Sequence, residues 1–188
     1  MITKPFSPRD IFAQPVVNSS RVFLSPQRYI QGPGVIKNCG LYLSLINAKH
    51  VGVLASKRGF SAEAANVLQS LNEAGIEYSK AEFRGECSKE EVERHTNDLM
   101  NAKPDCILAV GGGKLVDAGK CIAYRLNCQV GIIPTLASND APCSSISVLY
   151  TVDGVKDVVE YFPQNPAFVI VDTEVIAVSY THLRAHET

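Results

Sequence analysis

The chain reads as a doubly wound α/β domain built on a parallel sheet, and three observations carry that reading. Short apolar runs alternate with segments of helical periodicity along most of its length. One such run, Cys106-Ile107-Leu108-Ala109-Val110, stops at three consecutive glycines, after which polar and apolar positions follow helical spacing. With 188 residues, 46% of them hydrophobic, the chain can bury one good core. Alternation of strand and helix places ligands at the carboxyl ends of a parallel sheet.

Taken in order, residues 21–24 and 28–30 read as short strands around Pro26, followed by a turn at Gly32-Pro33-Gly34. Residues 35–46 suit a helix. A strand over 50–55 leads to a helix over 61–74, and a further strand covers 76–83. Ser88-Lys89-Glu90-Glu91 has the spacing of a capping box and opens a helix to about residue 100. The strand over 105–110 and its helix to 126 come next, then a strand over 129–133 ending at Pro134, and a last strand over 168–171. There is no internal repeat and no low-complexity segment.

The glycine run, Gly111-Gly112-Gly113-Lys114, is the most informative stretch for function. Without Cβ atoms the backbone N–H groups can approach a ligand closely. The helix that follows offers unpaired N–H groups and the positive end of its dipole, an arrangement suited to phosphate. Lys114 adds a formal charge. The alternative is a plain tight turn. A P-loop does not fit, because Gly119-Lys120 is followed by Cys121 and is wrongly spaced from Gly113. Nor does Gly-x-Gly-x-x-Gly, since Val116 stands where its last glycine would be. Residues 134–150 leave a strand end on the same rim and are rich in small and hydroxyl side chains, with the lone carboxylate Asp140. They read either as a polar crossover loop or as a loop touching a ligand laid across the strand ends.

A formal net charge of −1 gives no electrostatic reason to expect nucleic acid or an anionic membrane as partner. The first eight residues lack an apolar leader segment, and no apolar run approaches the roughly 18 residues of a membrane span. Cysteines 39, 87, 106, 121, 128 and 143 show no Cys-x-x-Cys spacing and read as reduced thiols of a cytoplasmic protein.

Four stretches together resemble a known family: Arg28-Tyr-Ile-Gln-Gly-Pro-Gly-Val35, Gly111-Gly-Gly-Lys-x-x-Asp117-x-x-Lys120, Pro134-Thr-x-Ala-Ser-x-Asp-Ala-Pro-Cys-Ser144 and Val169-Ile-Val-Asp-Thr173. They look like the glycerol dehydrogenase branch of the metal-dependent, iron-containing alcohol dehydrogenases. The resemblance covers residues 22 to 177. It implies a Rossmann-like domain binding NAD, followed in the family by a C-terminal helical domain with a zinc or iron site. The family moves a hydride from an alcohol carbon to the nicotinamide while the metal polarises the alcohol oxygen. By resemblance, Gly112, Gly113 and Lys114 match the pyrophosphate turn, and Asp117 and Lys120 match its helix. Thr135, Ser138, Ser144, Ile146 and Tyr150 match positions lining the adenine and nicotinamide halves. Asp140 matches the carboxylate that contacts a polyol substrate, glycerol being the family expectation. A homo-oligomer is open for the full-length protein.

Two departures from the family pattern stand out. The strand over 50–55 ends in Ser56-Lys57-Arg58, where the family usually carries an acidic residue that accepts the ribose hydroxyls of NAD. Ser56 beside two cations could receive a 2′-phosphate, so NADP stands as a rival to NAD. The second departure is the tail. Residues 178–188 look like a reading frame through a sequencing adapter, which makes 1–177 the expected native domain, with the helical metal domain missing and the chain inactive as it stands. The family's metal ligands fall beyond Ala177, so no metal site is expected here, and the His182/His186 spacing is discounted. A nucleotide-binding module without catalysis is the alternative from another class. Glycerol-1-phosphate dehydrogenase and dehydroquinate synthase are alternatives within the superfamily, disfavoured because the Asp140 loop lacks cations.

Overall fold

The structure, a computed structural model, describes residues 6–8 and 23–184. Its centre is a six-stranded, wholly parallel sheet in the order β1-β8-β5-β4-β2-β3. The strands are β1 (Tyr29–Gly32), β2 (His50–Ser56), β3 (Glu77–Phe83), β4 (Cys106–Gly111), β5 (Gln129–Pro134) and β8 (Phe168–Asp172). A two-stranded antiparallel hairpin, β6 (Ile146–Tyr150) with β7 (Lys156–Tyr161), lies outside that sheet. The helices are α1 (Cys39–Ser44), α2 (Lys57–Ser61), α3 (Glu63–Glu73), α4 (Lys89–Met100), α5 (Gly113–Leu126) and α6 (Thr173–Arg184).

Burial on both faces explains why the central strands are near-continuous apolar runs rather than alternating ones. From β2 and β4, Val51, Val53, Cys106, Leu108 and Val110 point to one face, where α1 and α3 contribute Leu43, Val67 and Leu71. Leu54, Ile107 and Ala109 point to the other, against Val92 and Leu99 of α4 and Val116 and Ile122 of α5. Gly119 permits that second contact at close range. A Cβ there would sit 2.6 Å from the Cβ of Ala109, so any larger residue would push α5 off the sheet.

The chain runs outward from β2 to β3 and then returns to the other side of β2 for β4 and β5. This reversal makes the carboxyl ends of β2 and β4 the switch point, where a doubly wound sheet leaves a crevice.

Several expectations need correction. The strand expected over 21–24 is not formed at Phe23 and Leu24, which are exposed coil, and residues 21–22 lie outside the described residues. The strand that does form runs on through Gly32, because pairing with β8 extends to Gly32↔Asp172. The helix expected over 35–46 is divided into a 3₁₀ turn (Val35–Asn38) and α1. Its entry is fixed by Asp172, whose carboxylate accepts from Gly34 N (3.0 Å) and Ile36 N (3.2 Å). The helix over 61–74 begins earlier and breaks at Ala62, whose φ of −124° and ψ of −110° separate α2 from α3.

The hairpin is the largest difference. Residues 146–150 form a strand rather than loop. Its inward positions are Ser147 and Leu149, so the apolar alternation that marks a strand is absent. Secondary structure also continues past residue 177, since α6 runs to Arg184. The side chains from Tyr180 onward, and residues 185–188 entirely, lie outside the described residues.

The four cysteines 39, 87, 106 and 121 are buried and unbridged, as expected of core thiols, while Cys143 is exposed. Burial pushes the Cys39 thiol up to about 12, and the same cause raises Cys128.

Candidate functional site

The β4–α5 connection is built as the glycine run dictates. β4 is buried along its whole length, and Gly112 is the N-cap of α5 in extended conformation (φ −82°, ψ 179°). No side chain among the described residues caps this helix, which leaves its first N–H groups open to a ligand. None of glycines 111–113 has positive φ, so the requirement for glycine here is space. A Cβ on Gly113 would lie 2.6 Å from Asn139 Nδ2, and one on Gly112 would lie 3.2 Å from Leu136 Cδ2. The loop after β5 is therefore laid directly over the glycine turn. Thr135 N donates to Gly111 O (3.1 Å) and fixes its start.

A cleft of about 480 Å³ opens at this point. Ser56, Gly112, Gly113, Lys114 and Thr135, all singled out from the sequence, line it together. Arg58, Glu63, Phe83 and Gly85 also line it and were not assigned to the site beforehand, although Arg58 was noted as a nearby cation. Glu63 enters because the break at Ala62 starts a new helix there, and no local sequence signal marks that break. Ser56 is the N-cap of α2, its Oγ accepting from Gly59 N (3.0 Å). That leaves its hydroxyl proton available to a ligand. Arg58 has no ion-pair partner among the described residues.

Lys114 is less free than the sequence suggests. Its ammonium pairs with Glu86 Oε1, so its charge is partly balanced within the protein. The other expected cofactor contacts divide into two groups. Ser138 and Asp140 are exposed on the loop beside the cleft, and the side chain of Asp140 caps nothing. Asp117, Ser144 and Ile146 instead join α5 to the hairpin and the loop before it, and Tyr150 ties the hairpin to the β3–α4 connection. Asp117 Oδ2 accepts from Val148 N (3.1 Å), and its own carbonyl accepts from Ser147 Oγ (3.0 Å). Tyr150 N donates to Cys87 O (2.8 Å).

Lys120 organises this second group. Its buried ammonium meets Asp117 Oδ1 (2.9 Å), Ala141 O (2.9 Å) and the carbonyl of Ile146, with Ser144 Oγ at 3.4 Å. One buried ammonium thus holds the polar loop at the first residue of its 3₁₀ turn (Ala141–Cys143), immediately after Asp140, and again beyond the turn at Ile146. The sequence pattern places Asp117 and Lys120 on the phosphate helix, and they are on it, but facing the hairpin. Loss of solvent around its sulfur, and then the neighbouring Asp140 charge, push the Cys143 thiol up although the residue as a whole is exposed.

His50 and His95 lie away from the rim. His50 Nε2 is 2.9 Å from Ser79 Oγ, and His95 is buried on α4 beside Glu91 and Arg94. Among the described residues no three His, Cys, Asp or Glu side chains converge as a metal cradle. No helix among them is long and apolar enough to cross a membrane.

Comparison with known proteins agrees with this architecture. The profile of the iron-containing alcohol dehydrogenase family matches residues 26–173. Glycerol dehydrogenase from Escherichia coli is 40% identical over 157 residues, covering 84% of this chain and 42% of that protein. Glycerol dehydrogenase from Thermotoga maritima is 38% identical, covering 81% and 41%. Among solved structures, glycerol dehydrogenase from Schizosaccharomyces pombe superimposes with a TM-score of 0.77 at 35% identity, covering 84% of this chain and 40% of that one. The chain thus spans about 42% of the length of the curated relatives it matches. With the sheet, the glycine turn and these relatives in agreement, the chain belongs to the iron-containing alcohol dehydrogenase family.

Proposed function

We propose that the described residues form the dinucleotide-binding half of an NAD(P)-linked polyol dehydrogenase. One observation carries this reading: an uncapped helix N-terminus, three glycines and Lys114 converge on a cleft at the switch point of a parallel sheet. The pyrophosphate would lie against the N–H groups of Gly112, Gly113 and Lys114. The adenosine end would extend toward Ser56, Arg58 and Glu63. A dinucleotide held there would supply a hydride acceptor for the oxidation of an alcohol carbon. Asp140, exposed on the adjoining loop, can accept a hydrogen bond from a polyol hydroxyl, and Lys120 holds the loop that carries it. The glycerol dehydrogenases among its relatives make glycerol the first substrate to try, and the proposal places the reaction in the cytoplasm. Metal use, which the family implies, finds no cradle in the described residues. Those residues supply the cofactor side of the chemistry and one substrate contact.

Calorimetry with NAD and NADP tests the reading directly. The chain is expected to bind a dinucleotide, and Gly112→Val to bind none while remaining folded, because its φ and ψ suit a branched residue but the new side chain fills the approach to the turn. Unchanged affinity in that variant would refute the assignment.

A second reading concerns which dinucleotide. Arg58 lines the cleft without an ion-pair partner and Ser56 retains a donor, which favours a 2′-phosphate; Glu63 in the same wall favours a ribose diol. Ser56→Asp keeps the N-cap and places a carboxylate at the end of β2. It should shift preference toward NAD, a tenfold change needing only about 1.4 kcal/mol. An unaltered NADP/NAD ratio would place Ser56 away from the ribose.

A further inference from the structure

The site carries a carboxylate that its chemistry does not call for. Glu86 stands in the β3–α4 connection and pairs through Oε1 with Lys114, the lysine of the glycine turn. Its second oxygen, Oε2, is buried and has no hydrogen-bond partner among the described residues. The backbone on either side is anchored. Gly85 turns the chain at a φ of +83°, Cys87 is fully buried and holds Tyr150 N through its carbonyl, and Ser88 caps α4. Glu86 therefore has little room to retreat. Lys114, with a flexible four-carbon stem and a side chain 57% exposed, is the partner able to move.

We propose that Glu86 competes with the dinucleotide phosphates for Lys114 and so sets an upper limit on cofactor affinity. The inference rests on the reading of this cleft as a dinucleotide site. A pyrophosphate at the glycine turn brings negative charge to the ammonium that Glu86 already holds. If Lys114 turns fully to the phosphate, Glu86 is left with both oxygens unpaired in a partly desolvated position, an unfavourable state for a carboxylate. If Lys114 bridges the two, Glu86 and the phosphate repel across it. Either way part of the attraction between Lys114 and the ligand is lost. The cleft itself is lined by the cations Arg58 and Lys114 and the carboxylate Glu63, and Glu86, held by Lys114 outside that lining, offsets the one positive charge left over. Such a site releases its cofactor readily, which suits a nucleotide that must exchange at every turnover.

The test is Glu86→Gln, which keeps the shape and removes the charge, titrated with NAD and, separately, with adenosine. NAD is expected to bind about three- to tenfold more tightly at about 50 mM salt, the advantage shrinking as salt screens the pair. Adenosine, which has no phosphate, is expected to bind both proteins equally. Equal or weaker NAD binding by a folded Glu86→Gln protein would overturn the proposal and make Glu86 an aid that positions Lys114. A matching change for adenosine would also overturn it, by showing a general effect on cleft shape. Should Glu86→Gln not fold, Glu86→Asp, which draws the carboxylate back by one methylene, is expected to move NAD affinity the same way by less. Failure of the unaltered chain to bind NAD at all would instead remove the dinucleotide reading and the competition with it.

Discussion

Two lysines of one helix, Lys114 and Lys120, have opposite fates. Lys114, in the first turn of α5, has a side chain 57% exposed at the edge of the cleft, with one acidic neighbour. Lys120, less than two turns further on, is 2% exposed and is surrounded by a carboxylate, two carbonyls and a hydroxyl. The first turn of the helix carries no side-chain cap and opens on the cleft, while the second holds the β6–β7 hairpin and the Asp140 loop in place. A lysine after a glycine turn has chemical meaning only once its partners are known, because the same residue type serves as ligand contact or as internal strut.

The largest expected effect follows from the buried lysine. Lys120→Met removes the cation while leaving Asp117 and the loop carbonyls buried, and should destabilise the protein by roughly 3–5 kcal/mol in urea unfolding. A loss below about 1 kcal/mol would show that the Asp140 loop holds itself without Lys120. The outer end of the same clasp is weaker. Arg125 forms a two-pronged pair with Glu160 of β7 (2.7 and 3.0 Å), both side chains about one-quarter exposed. Arg125→Met should cost about 1 kcal/mol, read in the same unfolding measurement. Lys114→Met leaves Glu86 without its partner and should cost no more than about 1 kcal/mol, far less than Lys120→Met, while weakening NAD binding, which reverses the pattern of Lys120. If Lys114→Met destabilises as much as Lys120→Met, the distinction between open and structural turns fails.

His95 gives a pH dependence unconnected with either lysine. Burial, reinforced by the Arg94 guanidinium at 2.9 Å, holds its pKa below the ordinary value of 6.5. Below that pH the unfolded chain takes up a proton that the folded protein refuses. Stability is therefore complete above pH 6.5 and falls as pH drops toward the lowered folded value. His95→Gln should flatten this slope whatever it does to stability itself. A slope that persists unchanged would assign the dependence to other groups.

Much of this arrangement is legible in the sequence, and the remainder is hidden for identifiable reasons. The central strands could be read because burial on both faces gives β2 and β4 unbroken apolar runs. Ser88 could be read as a cap, and its Oγ does accept from Glu91 N (3.2 Å), though Glu91 turns to Arg84 N (2.7 Å) instead of back to the cap. Ser56, the glycines, Lys114 and Thr135 line one cleft together. The hairpin escaped because its buried face carries Ser147, satisfied only by the carbonyl of Asp117 thirty residues earlier. The inward role of Asp117 and Lys120, the Glu86 partner of Lys114 and the entry of Glu63 all depend on contacts between distant segments. Local periodicity carries no record of them.

Hydrogen–deuterium exchange with and without saturating NAD tests the central claim most directly, since it reports every backbone amide at once. The account predicts protection concentrated at residues 111–115, at 56–63 after β2 and at 135–139 over the turn, with the hairpin and α4 unchanged. Protection confined instead to the opposite side of α5, around Tyr124 and residues 162–167, with none at the glycine turn, would contradict it.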